Sequence, residues 1–131
     1  MKLSMDDILL MNGMEKITGV SPKDCLSEGD LISYLVPEQL MGKAIGKQAI
    51  NVKKLQETLK KRIEFVPFYQ KAEDIFSQAL EINFTNIKTN GNKLVITLDS
   101  ANKSKAFKNN SRIRRVKEFI QRNFGLELVI N

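Results

Sequence analysis

One short segment of the chain combines residue types that suit the binding of a phosphate group. Residues 41–55 read MGKAIGKQAINVKKL, with two glycines four positions apart and a lysine directly after each. Gly46 would let another backbone approach closely, because no Cβ stands in the way. The apolar spacing that follows predicts a helix, whose first turn offers unpaired N–H groups and the positive end of a dipole. Lys47 would add a mobile cation beside them.

The composition argues against most kinds of catalytic site. The 131 residues include no histidine and a single cysteine, Cys25. Nucleophile pairs of the Ser–His and Cys–His types are therefore excluded, and a zinc site would lack the ligands it needs. We expect a binding protein rather than an enzyme, with no metal or other cofactor.

The sequence also bounds the size and compartment of the protein. Its length suits one compact domain or two very small ones. No apolar run approaches the length of a membrane helix, so we expect no membrane association. The first residues, MKLSMDDILL, carry one lysine and then two acids, which is not the pattern of a signal peptide. The absence of a secretory signal and the single cysteine favour the cytoplasm.

The positive charge is concentrated in two blocks. Residues 43–62 contain seven basic residues and one acid, and residues 103–122 contain eight basic residues and one acid. The blocks carry +6 and +7, whereas the whole chain carries only +6. Such focused charge is typical of a surface that binds a polyanion, although two ordinary solvated helix faces remain the alternative.

The two blocks occupy matching places in two similar halves. In the first half we predict a helix at 4–18, strands from 24 and at 31–36, a short helix at 39–45, a helix from 49 to about 60, and a strand at 62–67. In the second half we predict a helix at 71–80, a strand at 81–88, a hairpin turn at 89–92, a strand at 93–98, a short helix at 100–107, a longer helix, and a strand at 125–130.

The apolar positions of the longer helices repeat between the halves at a constant offset. Val52, Leu55 and Leu59 match Ile113, Val116 and Ile120, each pair being 61 residues apart. Repetition of a whole pattern indicates a duplicated unit. The alternative organisation is one mixed α+β domain without duplication.

This order of elements, with a tight basic turn between two adjacent helices, resembles the type II KH fold. The resemblance implies an α+β protein of two tandem type II KH domains, at residues 1–67 and 68–131. Each would be α-β-β-α-α-β, with a three-stranded mixed sheet packed against helices. KH domains clamp the backbone of single-stranded nucleic acid with a G-x-x-G loop. That loop corresponds here to residues 46–49 and, in degenerate form, to residues 107–110.

Longer segments resemble one family in particular. KLSMDDILLMNGMEKITGVSPKDC, MGKAIGKQAINVKKL and IEFVPF are similar to the archaeal NusA-like transcription factors, which consist of two tandem KH domains. The resemblance implies a monomer that binds single-stranded RNA, the nascent transcript, and acts with RNA polymerase during elongation or termination. The alternative is a module that docks on RNA polymerase and has little RNA affinity of its own.

Both loops depart from the family pattern. Ala49 stands where the family usually has glycine, and we expect it to begin the helix in a right-handed conformation. In the second loop Phe107 and Asn110 replace both glycines, and a ring at Phe107 would obstruct a backbone. The residues predicted to bind RNA are Ile45, Gly46, Lys47, Gln48, Ala49, Asn51, Lys53 and Lys54 in the first half, and Lys105, Lys108, Arg112 and Arg115 in the second.

Overall fold

The structure is a computed structural model that describes residues 4–131, and it divides into two compact units. The first unit ends at Phe68 and the second begins at Tyr69, one residue after the boundary expected from the sequence. Each unit contains a three-stranded sheet of mixed direction together with helices. The prediction of an α+β protein with mixed three-stranded sheets is confirmed.

The elements of the first unit follow the predicted order. They are α1 (Met5–Thr18), β1 (Asp24–Glu28), β2 (Leu31–Pro37), α2 (Met41–Ile45), α3 (Ile50–Leu59) and β3 (Arg62–Phe68), with 3-10 turns at Glu38–Leu40 and Lys47–Ala49. Helix α1 begins with the expected cap at Ser4, whose hydroxyl accepts the N–H of Asp7 at 3.1 Å. The helix ends at Gly19, whose φ of 75° suits glycine.

Strand β2 lies at the centre of the first sheet. It pairs antiparallel with β1 and parallel with β3, and all seven of its residues are buried. The apolar core between this sheet and the helices contains Met14, Val20, Cys25, Ile32, Tyr34, Val36, Ala44 and Leu55. Burial raises the pKa of Tyr34, whose protonated hydroxyl donates a hydrogen bond to the carbonyl of Leu10 at 2.8 Å. This bond fixes α1 on the sheet.

The second unit repeats the same order. Its elements are α4 (Ala72–Leu80), β4 (Asn86–Asn90), β5 (Lys93–Thr97), α5 (Ser100–Phe107), α6 (Asn110–Phe124) and β6 (Glu127–Ile130). Strand β5 is central, antiparallel to β4 and parallel to β6. Helix α6 buries the apolar positions Ile113, Val116 and Ile120, the three that match the first unit in sequence.

One predicted strand is wrong at its start. Residues 81–85 are not part of a strand, and β4 begins only at Asn86. Glu81 ends α4 with a left-handed φ of 55°. The N–H of Ile82 then donates to the carbonyl of Ser77 at 3.0 Å, while the hydroxyl of Ser77 donates to the carbonyl of Ile82 at 2.6 Å. These bonds close the end of the helix instead of extending a strand.

Candidate nucleic-acid interface

The first loop, residues 46–49, joins α2 to α3 through a backbone of unusual conformation. Gly46 has φ 78° and ψ 167°, a region that is almost restricted to glycine. Gln48 (φ 55°, ψ 33°) and Ala49 (φ 60°, ψ 28°) both lie in the left-handed region. The N–H of Ala49 donates to the carbonyl of Gly46 at 3.1 Å, which closes the turn.

The expectation that Ala49 begins α3 with right-handed backbone angles is wrong. Helix α3 begins one residue later, at Ile50. The physical reason is the shortness of the connection, because right-handed residues at 48 and 49 would continue a helical path rather than reverse the chain between two helices. The glycine that the family pattern places at this position would adopt the observed angles without strain.

Gly46 is required by its surroundings as well as by its φ angle. A Cβ on Gly46 would lie 2.9 Å from both Cγ and Nδ2 of Asn51, and 3.0 Å from Cγ2 of Ile50. The side-chain amide of Asn51 instead donates a hydrogen bond to the carbonyl of Lys43, at 3.1 Å. Asn51 was predicted to bind RNA, and the structure shows its amide directed toward the preceding helix.

The other predicted residues of the first half cluster at or just after the loop. Lys47 and Gln48 are exposed at the turn, and Lys53 and Lys54 are exposed on α3, while Ile45, Gly46 and Ala49 are half-buried. Sequence reasoning did not include Ile50, which is 49% exposed directly after the loop. The sequence signal for Ile50 is its position at the start of an amphipathic helix, because it lies outside the apolar face formed by Val52, Leu55 and Leu59.

Part of the first basic block is engaged within the protein. Arg62 forms an ion pair with Asp30 at 2.9 Å, and the hydrogen bond from Arg62 lowers the pKa of that carboxyl below its usual range. The ammonium of Lys61 donates to the carbonyl of Gly29 at 2.8 Å. These residues hold the β1–β2 turn, whereas Lys47, Lys53 and Lys54 are exposed at or just after the loop.

The second loop, residues 107–110, has a different backbone. Lys108 (φ −68°, ψ −18°) and Asn109 (φ −128°, ψ 67°) both have negative φ, and no residue of this loop has a positive one. Asn109 caps α6 by accepting the N–H of Arg112 at 3.3 Å. Phe107 ends α5 and is 42% exposed as a residue. The second loop therefore does not reproduce the turn of the first.

The cations predicted in the second half are unequal in their exposure. Lys105 and Lys108 are exposed, whereas Arg112 is half-buried and its Nη1 donates to the carbonyl of Ala79 at 3.1 Å. Arg115 is only 5% exposed. Of the residues predicted to bind RNA, Arg115 is therefore the least accessible to a ligand phosphate, because its side chain is buried. This burial was not predictable from residue types, because Arg115 is one of several cations in a basic run.

Metal sites and membrane-spanning helices are two further features to consider within residues 4–131. No three His, Cys, Asp or Glu side chains among them are grouped so that they could hold a metal ion. None of the helices in this range has the length and apolar character needed to cross a membrane.

Comparisons with known proteins place these features in context. No protein-family model matches the chain. A protein of Methanococcus vannielii named probable transcription termination protein NusA is 32% identical over 99 residues, covering 72% of this chain and 57% of the relative. A Halococcus morrhuae protein of the same name is 33% identical over 82 residues, covering 61% of this chain and 59% of the relative. The chain thus spans less than two thirds of the length of these curated relatives.

A third relative carries the same name, and one solved structure shares the fold of this chain. The Methanocaldococcus jannaschii protein of the same name is 30% identical over 67 residues, covering 51% of this chain and 37% of the relative. The crystal structure of a protein designated APE1850 superposes with a TM-score of 0.82 at 25% identity, covering 98% of this chain and 100% of that one. The resemblance to archaeal NusA-like proteins predicted from the sequence is confirmed.

Proposed function

We propose that this chain, a relative of the archaeal NusA-like proteins, is a single-stranded RNA-binding factor built from two type II KH units. Both units have the element order α-β-β-α-α-β with a mixed sheet, which supports the KH assignment. The first unit would make the principal contact with the RNA backbone, and the second would contribute mainly through its charge.

The observation that carries the proposal is the conformation of the loop at residues 46–49. Its tight turn presents Lys47 and Gln48 to solvent at the start of α3, where helix N–H groups lack intrahelical acceptors. A phosphate there would meet N–H donors, the positive end of the helix dipole and the ammonium of Lys47. The absent side chain of Gly46 leaves the sugar-phosphate backbone room to approach.

The biological setting is inferred from the relatives, which are named as probable transcription termination proteins. We infer that the RNA is the nascent transcript and that the chain acts with RNA polymerase during elongation or termination. The proposal describes a cytoplasmic, monomeric protein without catalytic activity.

The test replaces Lys47 and Gln48 with aspartate and measures binding of a short fluorescent single-stranded RNA by anisotropy. Gly46 is kept because any Cβ there would be strained. Asp is tolerated in the left-handed conformation of residue 48, so the fold should survive. We expect binding to fall at least tenfold, because two carboxylates would face the phosphates. The charge-matched control is Lys88→Asp with Thr89→Asp on the exposed strand β4, which should bind nearly as the wild type.

A salt titration of the wild type gives a second criterion. Each phosphate neutralised on a single strand contributes a slope of about −0.7 in log K against log salt. The proposal requires a clearly negative slope that becomes shallower in the Lys47→Asp, Gln48→Asp protein. Equal affinities for this protein and its β4 control would reject the loop as the contact.

A second candidate function is favoured by one observation on α1. Three apolar residues of this helix, Met5, Ile8 and Leu9, are 72%, 41% and 60% exposed. An exposed apolar surface suits a protein partner. If the wild type shows no salt-dependent RNA binding but is retained by immobilised RNA polymerase, the chain is a docking module instead. Loss of that retention on Leu9→Asp would support the α1 face as the contact.

A further inference from the structure

We propose that Asn51 is a positioning residue that holds the first loop in its observed conformation, and that it does not itself contact RNA. The loop geometry can be tested on the protein alone. The effect of Asn51 on affinity rests on the function proposed above.

Asn51 joins the two helices on either side of the loop. It lies in the first turn of α3, and its amide nitrogen donates to the carbonyl of Lys43 in α2 at 3.1 Å. The carbonyl groups in the last turn of a helix lack intrahelical donors, so this bond satisfies one of them. The amide can reach that carbonyl because the position is open, since a Cβ on Gly46 would lie 2.9 Å from both Cγ and Nδ2 of Asn51.

The hydrogen bond from Asn51 spans a loop whose backbone conformation must be stabilised by its surroundings. Gln48 and Ala49 are consecutive residues with left-handed backbone angles, which L-residues other than glycine adopt at a cost. Such strain persists only where the surroundings fix the backbone. The N–H of Gly46 donates to the carbonyl of Gly42, and that of Ala49 donates to the carbonyl of Gly46. Both of these bonds join residues between 42 and 49, before α3 begins. The bond from Asn51, by contrast, connects α3 directly to α2.

The consequence for RNA binding follows from preorganisation. With the Asn51 bond intact, Lys47 and the N–H groups of the turn are held in one arrangement before any ligand arrives. Without it, residues 48 and 49 gain access to right-handed conformations, and RNA binding must reorder them. The loss of one hydrogen bond predicts affinity about two- to tenfold weaker.

The decisive measurement is made on Asn51→Ala without RNA. The three-bond couplings from the amide protons of Gln48 and Ala49 to Hα, C′ and Cβ, taken together, distinguish a left-handed φ from an average over conformers. We expect these couplings to shift from left-handed values toward an average over conformers. The thermal midpoint should change little, because the better helix propensity of alanine offsets part of the lost hydrogen bond. Asn51→Asp is the second variant, since a carboxylate of the same shape cannot donate to the carbonyl of Lys43. It should shift the couplings in the same way.

RNA titrations then separate positioning from direct contact. Ala49→Gly relieves the strain at its own position, so the double variant Asn51→Ala, Ala49→Gly should recover most of the affinity lost by Asn51→Ala. Direct contact between Asn51 and RNA predicts no recovery. Unchanged couplings at Gln48 and Ala49 in both single variants would overturn the proposal. If the wild type does not bind RNA, the proposed function fails, while the coupling measurement still decides the role of Asn51.

Discussion

Gln48 and Ala49 are neighbours in sequence and both have left-handed backbone angles, with φ of 55° and 60°. Each such residue costs about 1–2 kcal/mol relative to the right-handed conformation. Two in succession within a four-residue turn are therefore a local store of strain, placed where the proposed ligand would bind.

Ala49→Gly should relieve part of this strain. The gain of about 1–2 kcal/mol in the folded state is offset by about 0.5–1 kcal/mol of backbone entropy that glycine loses on folding. We expect the free energy of unfolding to rise by about 0–1.5 kcal/mol, as measured by urea denaturation. The matched control, Ala101→Gly, lies at an exposed position inside α5 and should lose about 0.5–1 kcal/mol. Equal losses in both variants would contradict the left-handed assignment.

Lys105→Glu with Lys108→Glu should weaken RNA binding chiefly at low salt. Both side chains are exposed, and the second loop lacks the turn of the first, so their contribution should be Coulombic and easily screened. Arg112 is kept because its bond to Ala79 holds α6 on α4. Binding isotherms at two salt concentrations, for two RNA sequences, measure the effect.

The control for that pair is Lys88→Glu with Lys93→Glu on the β4–β5 hairpin, which makes the same change in net charge at exposed positions. We expect no loss of sequence preference from either pair. A loss that persists at the higher salt, or one that alters sequence preference, would show that the second loop grips RNA despite its different backbone.

Phe107→Ala should cost much less stability than truncation of a core aromatic residue. Phe107 is 42% exposed, whereas Phe119 in α6 is 0% exposed. Phe119→Ala should lower the free energy of unfolding by about 3–5 kcal/mol, as is usual for buried aromatic residues. Thermal and urea melts of the two variants provide the comparison. Similar losses would mean that Phe107 packs inward in solution.

Helix α5 should respond to acid through its cap at Asp99. A carboxylate oxygen of Asp99 accepts the backbone N–H of Asn102 at 2.8 Å, and this bond lowers the pKa of Asp99 below its usual 3.8. The ionised group therefore stabilises the helix above the usual pKa, and this stabilisation is lost as the pH falls through the lowered value. An NMR titration of the Cα shifts of α5 should show the change.

Asp99→Asn separates this effect from general acid unfolding. Asparagine remains a good N-cap and can accept the same N–H, but it has no proton to gain in this range. The variant should retain α5 and lose the acid-dependent shift. Identical titration curves for variant and wild type would rule out Asp99 as the cause.

Much of the fold was accessible from periodicity. The run of strand-favouring residues at 31–36 predicted the buried strand β2. The matching apolar positions that begin at Val52 and at Ile113 predicted equivalent helices in the two units. These succeed because burial of an apolar face dictates residue spacing directly. The wrong prediction that a strand starts at residue 81 has a different origin. The hydrogen bonds between Ser77 and Ile82, which close the end of α4, produce no periodic pattern in the sequence.

The candidate site was less accessible. Residue types alone do not distinguish an alanine that ends a turn from one that begins a helix, so the left-handed backbone of Ala49 was missed. Counting cations likewise does not reveal that Arg115 is buried or that Arg112 bonds to the carbonyl of Ala79. Exposure depends on packing between elements distant in sequence, whereas charge patterns are read along the chain.

The parallel pairing of β2 with β3 has a consequence for the speed of folding. Leu31 pairs with Arg62, so the strands meet only after the whole segment between them has been brought into place. Closing such a long connection costs chain entropy before any strand contact is gained, which makes parallel pairing slow. Residues 46–49 lie inside this connection. How readily these residues form the reversing turn therefore affects the rate at which β2 and β3 pair. The refolding rate of Ala49→Gly measures this effect.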